Sequence, residues 1–447
     1  MITNLIDKPK FSPTPDQQEA LDLMTSWLSA GYVKPAEGII HSGPKFTNTN
    51  QPFFLLKGYA GTGKTFCIQE LVNAGTFRPS EICFTAPTNK AVKVLRNYLD
   101  EAGLEACVTK TIYSLLGLSL QTNGEVKELA KPEEPVNLSQ YKVIIVDEAS
   151  MVNRFLMDAI HDAFDVWKVP FIFMGDPAQL PPVGEISSPV WKIENGYTLT
   201  KVLRYGNSML DLATSIRNVV DSPFPSVKIV TDAPVFRVPK AEWLDQIEAN
   251  IELFKSDQAK IISWRNIKVD EYNAYVRRLI FGREAAKSAH WLPTDKIVAT
   301  SRVTDLDDNI LLQTDETAEI LEIVEGKHPN YTEFDIYNIL ALDERDHKIT
   351  LRTLTASGQF HLSNRLNELS MEAKGGKRHK WKEFWELKEA FAEIRHSYAI
   401  TSHRSQGSSY LKTFVDLEDI MLNRNKAEAF RSLYVACTRQ REELWIT

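Results

Sequence analysis

The chain is poor in cysteine and has no apolar run long enough to span a bilayer. Its four cysteines, Cys67, Cys83, Cys107 and Cys437, are scattered, with none at the paired spacing of a zinc site. Few, dispersed thiols suit a reducing compartment and exclude a disulfide framework. No stretch approaches the ~18 uninterrupted apolar residues of a transmembrane helix, so no membrane partner is expected. Residues Met1 to Asp7 lack a basic region followed by an apolar core, so no secretory leader is expected, and the cytoplasm is the expected compartment. Positive charge is not in excess either. The 52 Lys and Arg against 59 Asp and Glu leave a net charge of −7, so any polyanion site must be argued from local residues. Internal repeats and low-complexity segments are absent. What is there is a globular composition, 43% hydrophobic and 25% charged, in 447 residues. That is too long for one ordinary core, and two or more domains are expected.

The most informative stretch is Gly58-Tyr59-Ala60-Gly61-Thr62-Gly63-Lys64-Thr65. It follows an apolar run, Phe53 to Leu56, that reads as a buried strand, and it leads into helical spacing at Ile68, Leu71 and Val72. Strand, glycine loop and helix are the context a phosphate loop requires. Glycines let backbone N–H groups turn around a polyphosphate, and the helix N-terminus adds positive potential. Lys64 would reach the outer phosphates and Thr65 would offer its hydroxyl to magnesium. Upstream, a helix is expected from about Asp16, and Gln17 either reads an adenine edge with its amide or is a solvated first-turn residue. The segment Gly31 to Gln51 has loop composition.

Further strands end in polar turns. Glu81 to Ala86 runs into Pro87-Thr88-Asn89-Lys90, donors suited to phosphate oxygens, with a helix cap by Thr88 as the plainer reading. Thr111-Ile112-Tyr113-Ser114 precedes a polar excursion from Leu118 to Val136, with Asn123-Gly124 as a hairpin turn. Val143 to Val146 ends in Asp147-Glu148, placed to hold magnesium and to orient an attacking water. Phe171 to Met174 ends in Gly175-Asp176-Pro177-Ala178-Gln179-Leu180-Pro181-Pro182-Val183, where Gln179 could sense a γ-phosphate. Arg204 is a candidate phosphate-neutralising side chain.

Prolines 223, 225, 234 and 239 mark a change of texture read as a domain boundary. Lys260 to Trp264 opens a second α/β unit, and short β-like runs fill Trp291 to Ser357, the pattern of a small inserted barrel. Lys374 to Lys382 is the most basic window and leads into Phe384, Leu387, Phe391 and Ile394 at helical spacing. That stripe, with Trp381 and Trp385, reads either as core or as a surface for nucleic acid. Near the end stand His403-Arg404-Ser405-Gln406-Gly407 and Arg439.

In this order the segments resemble superfamily 1 DNA helicases of the RecD-like 1B group, over nearly the whole chain. Gln17 with Ala20, Gly58–Thr65, Ala86–Lys90, Asp147–Ser150, Gly175–Val183, Arg204, His403–Gly407 and Arg439 match the family's motifs. The Gly375-Gly376 and Phe384-Trp385 neighbourhood is similar to a family insertion that braces the strand-separating hairpin. The resemblance implies an α/β fold of two RecA-like parallel-sheet domains, residues 1–114 with 137–221 and residues 222–290 with 396–447. It implies a hairpin insertion at 115–136 and an SH3-like β-barrel insertion with a basic, aromatic arm at 291–395. It implies ATP and Mg2+, bound by Gln17, Gly58, Gly61, Thr62, Gly63, Lys64, Thr65, Asp147, Arg204, Gln406, Gly407 and Arg439, with Glu148 and Gln179 in catalysis. DNA contacts are implied at Pro87, Thr88, Asn89, Lys90, Thr111, Tyr113, Ser114, Asn266, His403 and Ser405. The implied activity is ATP-driven 5′→3′ translocation on single-stranded DNA and unwinding of forked duplexes by a monomer, in phage replication or recombination. A single-strand-binding protein or replisome components are the candidate protein partners. The competing class is a nucleic-acid-stimulated NTPase that does not unwind. Two departures stand out: Tyr113 occupies a usual histidine position, and 118–136 has no Phe, Tyr or Trp to stack on a fork, leaving Leu118 or Leu120 as the wedge.

Overall fold

The computed structural model describes residues 12–29, 52–202, 207–220, 222, 227, 229 and 232–447. They form two compact units, one of residues 1–87, 95–116 and 134–206, the other of residues 88–94, 117–133 and 207–447. No helix among the described residues is long and apolar enough to cross a membrane.

The first unit is built on a six-stranded parallel sheet. Its strands are β1 (Phe53–Gly58), β2 (Ile82–Ala86), β3 (Val108–Thr111), β4 (Val143–Val146), β5 (Phe171–Gly175) and β6 (Gly196–Leu199), in the spatial order β3-β2-β4-β5-β1-β6. Central strands of such a sheet are covered on both faces and read as unbroken apolar runs. Phe53 to Leu56, Val143 to Val146 and Phe171 to Met174 are accordingly buried throughout. Phe53 sits edge-on to Phe164, Phe171 and Phe173, locking β1 to β5 and to the helix Arg154–Trp167. The buried amide of Asn195 donates to the Phe53 carbonyl at 3.1 Å, closing the far end of β1. Helix α1 (Pro15–Ser29) is tied to β6 through Tyr197, whose hydroxyl lies 2.8 Å from Asp16 and 2.9 Å from Glu19.

The second unit contains a five-stranded parallel sheet of β7 (Val235–Arg237), β8 (Ala259–Ser263), β9 (Ala399–Thr401), β10 (Tyr410–Val415) and β11 (Gln440–Ile446), in the order β9-β8-β10-β11-β7. Trp243, Phe254, Tyr272 and Phe414 fill its core. Between β8 and β9 the chain builds a five-stranded antiparallel sheet with its own apolar core, with helices Ala356–Lys374 and Lys380–Glu389 placed before its last strand, Ile394–His396. The chain's passage into and out of this insertion is fastened by a buried ion pair. Arg277 Nε lies 2.9 Å from Asp295 Oδ1, and the Tyr398 hydroxyl donates to the same oxygen at 3.2 Å.

Both parallel sheets match the expected fold class. Local boundaries differ in instructive ways. The compact units part at 206/207, not at 221/222, because helix Asn207–Arg217 packs on helix Lys426–Ala436 of the second unit. The hairpin Ser119–Asn123/Val126–Ala130 likewise belongs to the second unit. Its turn is Gly124-Glu125, one residue beyond Asn123-Gly124, because Asn123 pairs with Val126 and Gly124 takes the positive φ of 62°. The apolar stripe from Phe384 stops being helical after Glu389; Ile394 is in a strand, paired with Ala299. Replacing Arg277 with Met would remove the guanidinium from the buried Asp295 carboxylate and leave it the Tyr398 hydroxyl, the Leu292 N–H and His396. The expected loss is about 3–5 kcal/mol of unfolding free energy, measured by urea denaturation.

Candidate functional site

In the first unit the candidate site lies at the carboxyl ends of β1, β4 and β5, where ligands of open parallel sheets gather. The loop after β1 needs its glycines. Gly61 and Gly63 have φ of 81° and 82°, and a Cβ on Gly58 would fall 2.5 Å from the Thr62 hydroxyl. The Thr62 hydroxyl donates to the Tyr59 carbonyl at 2.9 Å, closing the loop on itself. Helix Lys64–Asn73 then starts directly at Lys64, with Thr65 half-buried in its first turn. Lys64 Nζ donates to the Gly58 carbonyl at 2.7 Å, so its ammonium is held at the mouth of the loop.

Asp147 and Glu148 follow β4. The Asp147 N–H donates to the Thr85 carbonyl at 2.8 Å, extending the β4–β2 pairing, and its Oδ1 accepts the Glu148 N–H at 2.8 Å. Burial pushes the Asp147 carboxyl above its ordinary range, opposed by the Glu148 N–H and by the charge of Lys64. Asp147 therefore lies within the electrostatic reach of Lys64. One hydroxyl, Thr65, and one half-buried carboxylate suit magnesium, a hard ion that keeps several waters. Glu148 has left-handed backbone angles, φ 50° and ψ 44°. A non-glycine residue held there is strained, and such strain concentrates at functional positions. The Ser188 hydroxyl, 3.0 Å from the Ala149 carbonyl and 2.7 Å from that of Val152, braces the turn behind it.

Gln17 is buried, and its amide is engaged within the unit. Nε2 donates to the Thr62 carbonyl at 3.1 Å, and Oε1 accepts the Thr14 N–H at 3.0 Å. The residue therefore touches the phosphate loop itself. Gln179 is buried at the end of β5, and Asp176 beside it ties that turn to the phosphate loop. Sequence reasoning quoted Asp176 but gave it no role. Thr111 caps a short helix through the Ser114 N–H at 3.1 Å, and Tyr113 is half-buried beside them. Pro87 is buried at the end of β2, and Arg204 lies outside the described residues.

In the second unit, Thr88 is a helix cap, its hydroxyl accepting the Ala91 N–H at 3.2 Å. Asn89 Nδ2 donates to Gln313 at 3.3 Å, and Lys90 Nζ lies 3.4 Å from the Tyr410 hydroxyl. A cleft of about 380 Å³ lies beyond the carboxyl end of β8, lined by Trp264, Asn266, Thr300, Arg395, His403 and Arg404. It joins two expected DNA-contact residues, Asn266 and His403, with Arg404 of the same motif and with Trp264 and Arg395, to which the sequence assigned no role. Trp264 follows a parallel strand, whereas Arg395 lies within an antiparallel one and carries no such signal. Burial holds the His403 imidazole below its usual range, against the pull of Glu428. Ser405 is buried and donates to the Ser402 carbonyl at 2.7 Å; Gln406 is buried next to it, and Gly407 takes a φ of 71°. Arg439 is also buried, its guanidinium donating to the carbonyls of Val435 and Ser408 and to the Thr438 hydroxyl.

The hairpin is fixed from outside. Trp385 Nε1 donates to the Gly124 carbonyl at 2.9 Å, Trp381 lies under Gly124, and Lys374 pairs with Glu125 at 2.8 Å. Lys127 reaches back to Glu389 and sits 5.0 Å from the centroid of the Trp385 ring. The two tryptophans thus pack on the hairpin, and Lys374, Lys377 and Lys380 of the basic window each have a carboxylate partner. Leu120 and Val126 project from the hairpin, 64% and 55% exposed.

Comparison with known proteins adds the following. A family model described as an AAA domain matches residues 43–219, and one described as a UvrD-like helicase C-terminal domain matches residues 396–447. The chain is 25% identical over 431 residues to the ATP-dependent DNA helicase dda of Enterobacteria phage T4, covering 87% of this chain and 93% of that one. It is 27% identical over 476 residues to an uncharacterized protein of Acanthamoeba polyphaga mimivirus, covering 89% and 95%. In fold it is similar to Pif1 helicase from Bacteroides in complex with ADP-AlF3 and single-stranded DNA, with a TM-score of 0.52 and 15% identity, covering 98% and 92%.

The glycine geometry makes one direct prediction. Alanine at Gly63 would carry a Cβ in left-handed backbone, at ~1–2 kcal/mol, and 2.4 Å from Gln17 Nε2. Gly63→Ala is expected to weaken nucleotide binding about tenfold, read by titration with a fluorescent ATP analogue.

Proposed function

Because the chain belongs with the superfamily 1B helicases related to Dda and is an ATP-dependent DNA helicase, we propose that it translocates 5′→3′ on single-stranded DNA and separates forked duplexes. The observation that carries the unwinding step is the hairpin clamped by Trp381, Trp385 and Lys374. A two-stranded ribbon is marginally stable alone; one fastened at its tip can resist a fork. Leu120 and Val126 offer an aliphatic wedge in place of an aromatic one.

In the ATPase step Lys64 turns from the Gly58 carbonyl to the outer phosphates, and Gln17 reads the adenine. A magnesium ion held by Thr65 and Asp147 would neutralise phosphate oxygens and offset the burial of that carboxylate. Glu148 orients the attacking water and accepts its proton. Gln179, Arg204 and Arg439 respond to the γ-phosphate, and Gln406 and Gly407 carry that response toward the DNA. The strand runs over Pro87–Lys90, Thr111, Tyr113 and Ser114, and over Asn266, His403 and Ser405. In the second unit, the cleft with Trp264, Arg395 and Arg404 supplies a stacking face and charge. The viral origin of the relatives supports a role in viral DNA replication or recombination in a host cytoplasm, acting as a monomer alongside single-strand-binding or replisome proteins.

The absence of aromatics on the hairpin favours one alternative, an NTPase that moves on DNA without unwinding it. Duplexes with a 5′ tail, a 3′ tail or no tail, with and without ATP, separate the two: unwinding of the 5′-tailed form alone is expected. Unwinding of only the 3′-tailed form would reverse the polarity, and none at all would favour the alternative. Lys64→Ala is expected to lower phosphate release by about 100-fold or more. Trp385→Ala, which deletes a hydrogen bond and a ring contact worth ~1.5 kcal/mol, is expected to slow unwinding about tenfold. DNA-stimulated ATP hydrolysis in that variant stays near wild type.

A further inference from the structure

The side chain of Asp176 is fully buried, 0% exposed, yet it is an anion beside a loop built to receive a triphosphate. A buried negative charge there opposes the ligand, since Coulomb repulsion is strong where water is excluded. Its use must lie in what it holds. Oδ2 accepts the N–H of Ala60, inside the phosphate loop, at 2.9 Å. Oδ1 accepts the N–H of Ala178 at 2.9 Å, and the Asp176 carbonyl accepts the N–H of Gln179 at 3.2 Å. One residue therefore shapes the turn that presents Gln179 and binds that turn to the phosphate loop. The strands beneath are in parallel register, Lys57 opposite Gly175, so the two loops leave the sheet side by side. A carboxylate can accept two backbone N–H groups at once; an amide in the same place offers one acceptor and turns two donors onto a donor.

We propose that Asp176 is a positioning residue that transmits the conformation of the phosphate loop to Gln179, so that Gln179 meets the γ-phosphate only when the loop has closed on it. The proposal rests on the ATPase reading above and assigns Asp176 no contact with the nucleotide. It makes an unusual demand on kinetics. Asp176→Asn removes the adverse charge and breaks one of the two backbone links. ATP affinity should stay unchanged or rise, while kcat for DNA-stimulated hydrolysis falls about tenfold or more. A merely structural defect would lower both together.

The test measures kcat, KM and ATP-analogue affinity for wild type, Asp176→Asn, Gln179→Ala and the double variant, with thermal unfolding of each as a fold control. If Asp176 acts through Gln179, the double variant is no slower than Gln179→Ala alone, within about twofold. Multiplying kcat losses, or a parallel loss of ATP affinity in Asp176→Asn, would overturn the proposal. If the asparagine variant does not accumulate as folded protein, Asp176→Ser keeps one acceptor without the amide donors and faces the same two criteria. A wild-type chain that hydrolyses no ATP in the presence of DNA would overturn the ATPase reading, and this proposal with it.

Discussion

The parallel pairing of β1 with β5 is the constraint on which the first unit's chemistry depends. It runs in unbroken register from Phe53 opposite Phe171 to Lys57 opposite Gly175, and Phe53, Phe171 and Phe173 lock it from the side. Each such buried ring is worth roughly 1.5–3 kcal/mol, so the register is set by packing far below the site. A slip of one residue would displace one loop against the other by ~3.3 Å along the strand. Reactive groups tolerate misplacement of only ~1 Å. The phosphate loop, Asp176 and Gln179 are therefore positioned by phenylalanines lying in the strands that lead to them.

Much of this site was legible in the sequence because its requirements are local. Positive φ at Gly61 and Gly63 is met without strain by glycine, and the apolar runs before Gly58, Asp147 and Gly175 declare buried parallel strands. The left-handed backbone of Glu148 was not legible, since nothing in a carboxylate announces strain. Asp176 was passed over because its partners are backbone groups 116 residues away and next door, which carry no side-chain signature. Thr88 caps its helix, the plainer of its two readings, and the Ser405 hydroxyl is bonded within its own turn, a contact that nothing in the sequence announces.

In the second unit, composition left more open than pattern did. The basic window from Lys374, with its aromatics, leaves both packing and nucleic-acid contact open in the sequence; Lys374, Lys377 and Lys380 pair with Glu125, Glu372 and Glu383. Trp381 and Trp385 pack on the tip of the hairpin, where the family resemblance puts the Phe384-Trp385 neighbourhood. Helical spacing carried the stripe from Phe384 past its end because Ile394 sits at the right interval and is nonetheless claimed by a strand. The helix Ala356–Lys374 carries Leu362, Leu366, Leu369 and Ala373 at helical spacing, a stripe given no reading in the sequence although it packs into the core. The cleft at Trp264, Arg395 and Arg404 is assembled from three separate segments, and only folding brings them to one rim.

The tip of the hairpin is bonded to Trp385, 261 residues further along the chain. Stiffness at that tip is thus set remotely, by how firmly the helices Ala356–Lys374 and Lys380–Glu389 are seated on their own sheet through Leu369, Leu387 and Phe391. Mechanical compliance and surface chemistry are consequently separable traits. Substitutions in the helix core can harden or soften the element that would meet a fork while the residues facing the fork stay the same. Evolution, or a protein engineer, can tune how much force the chain withstands without altering what it touches.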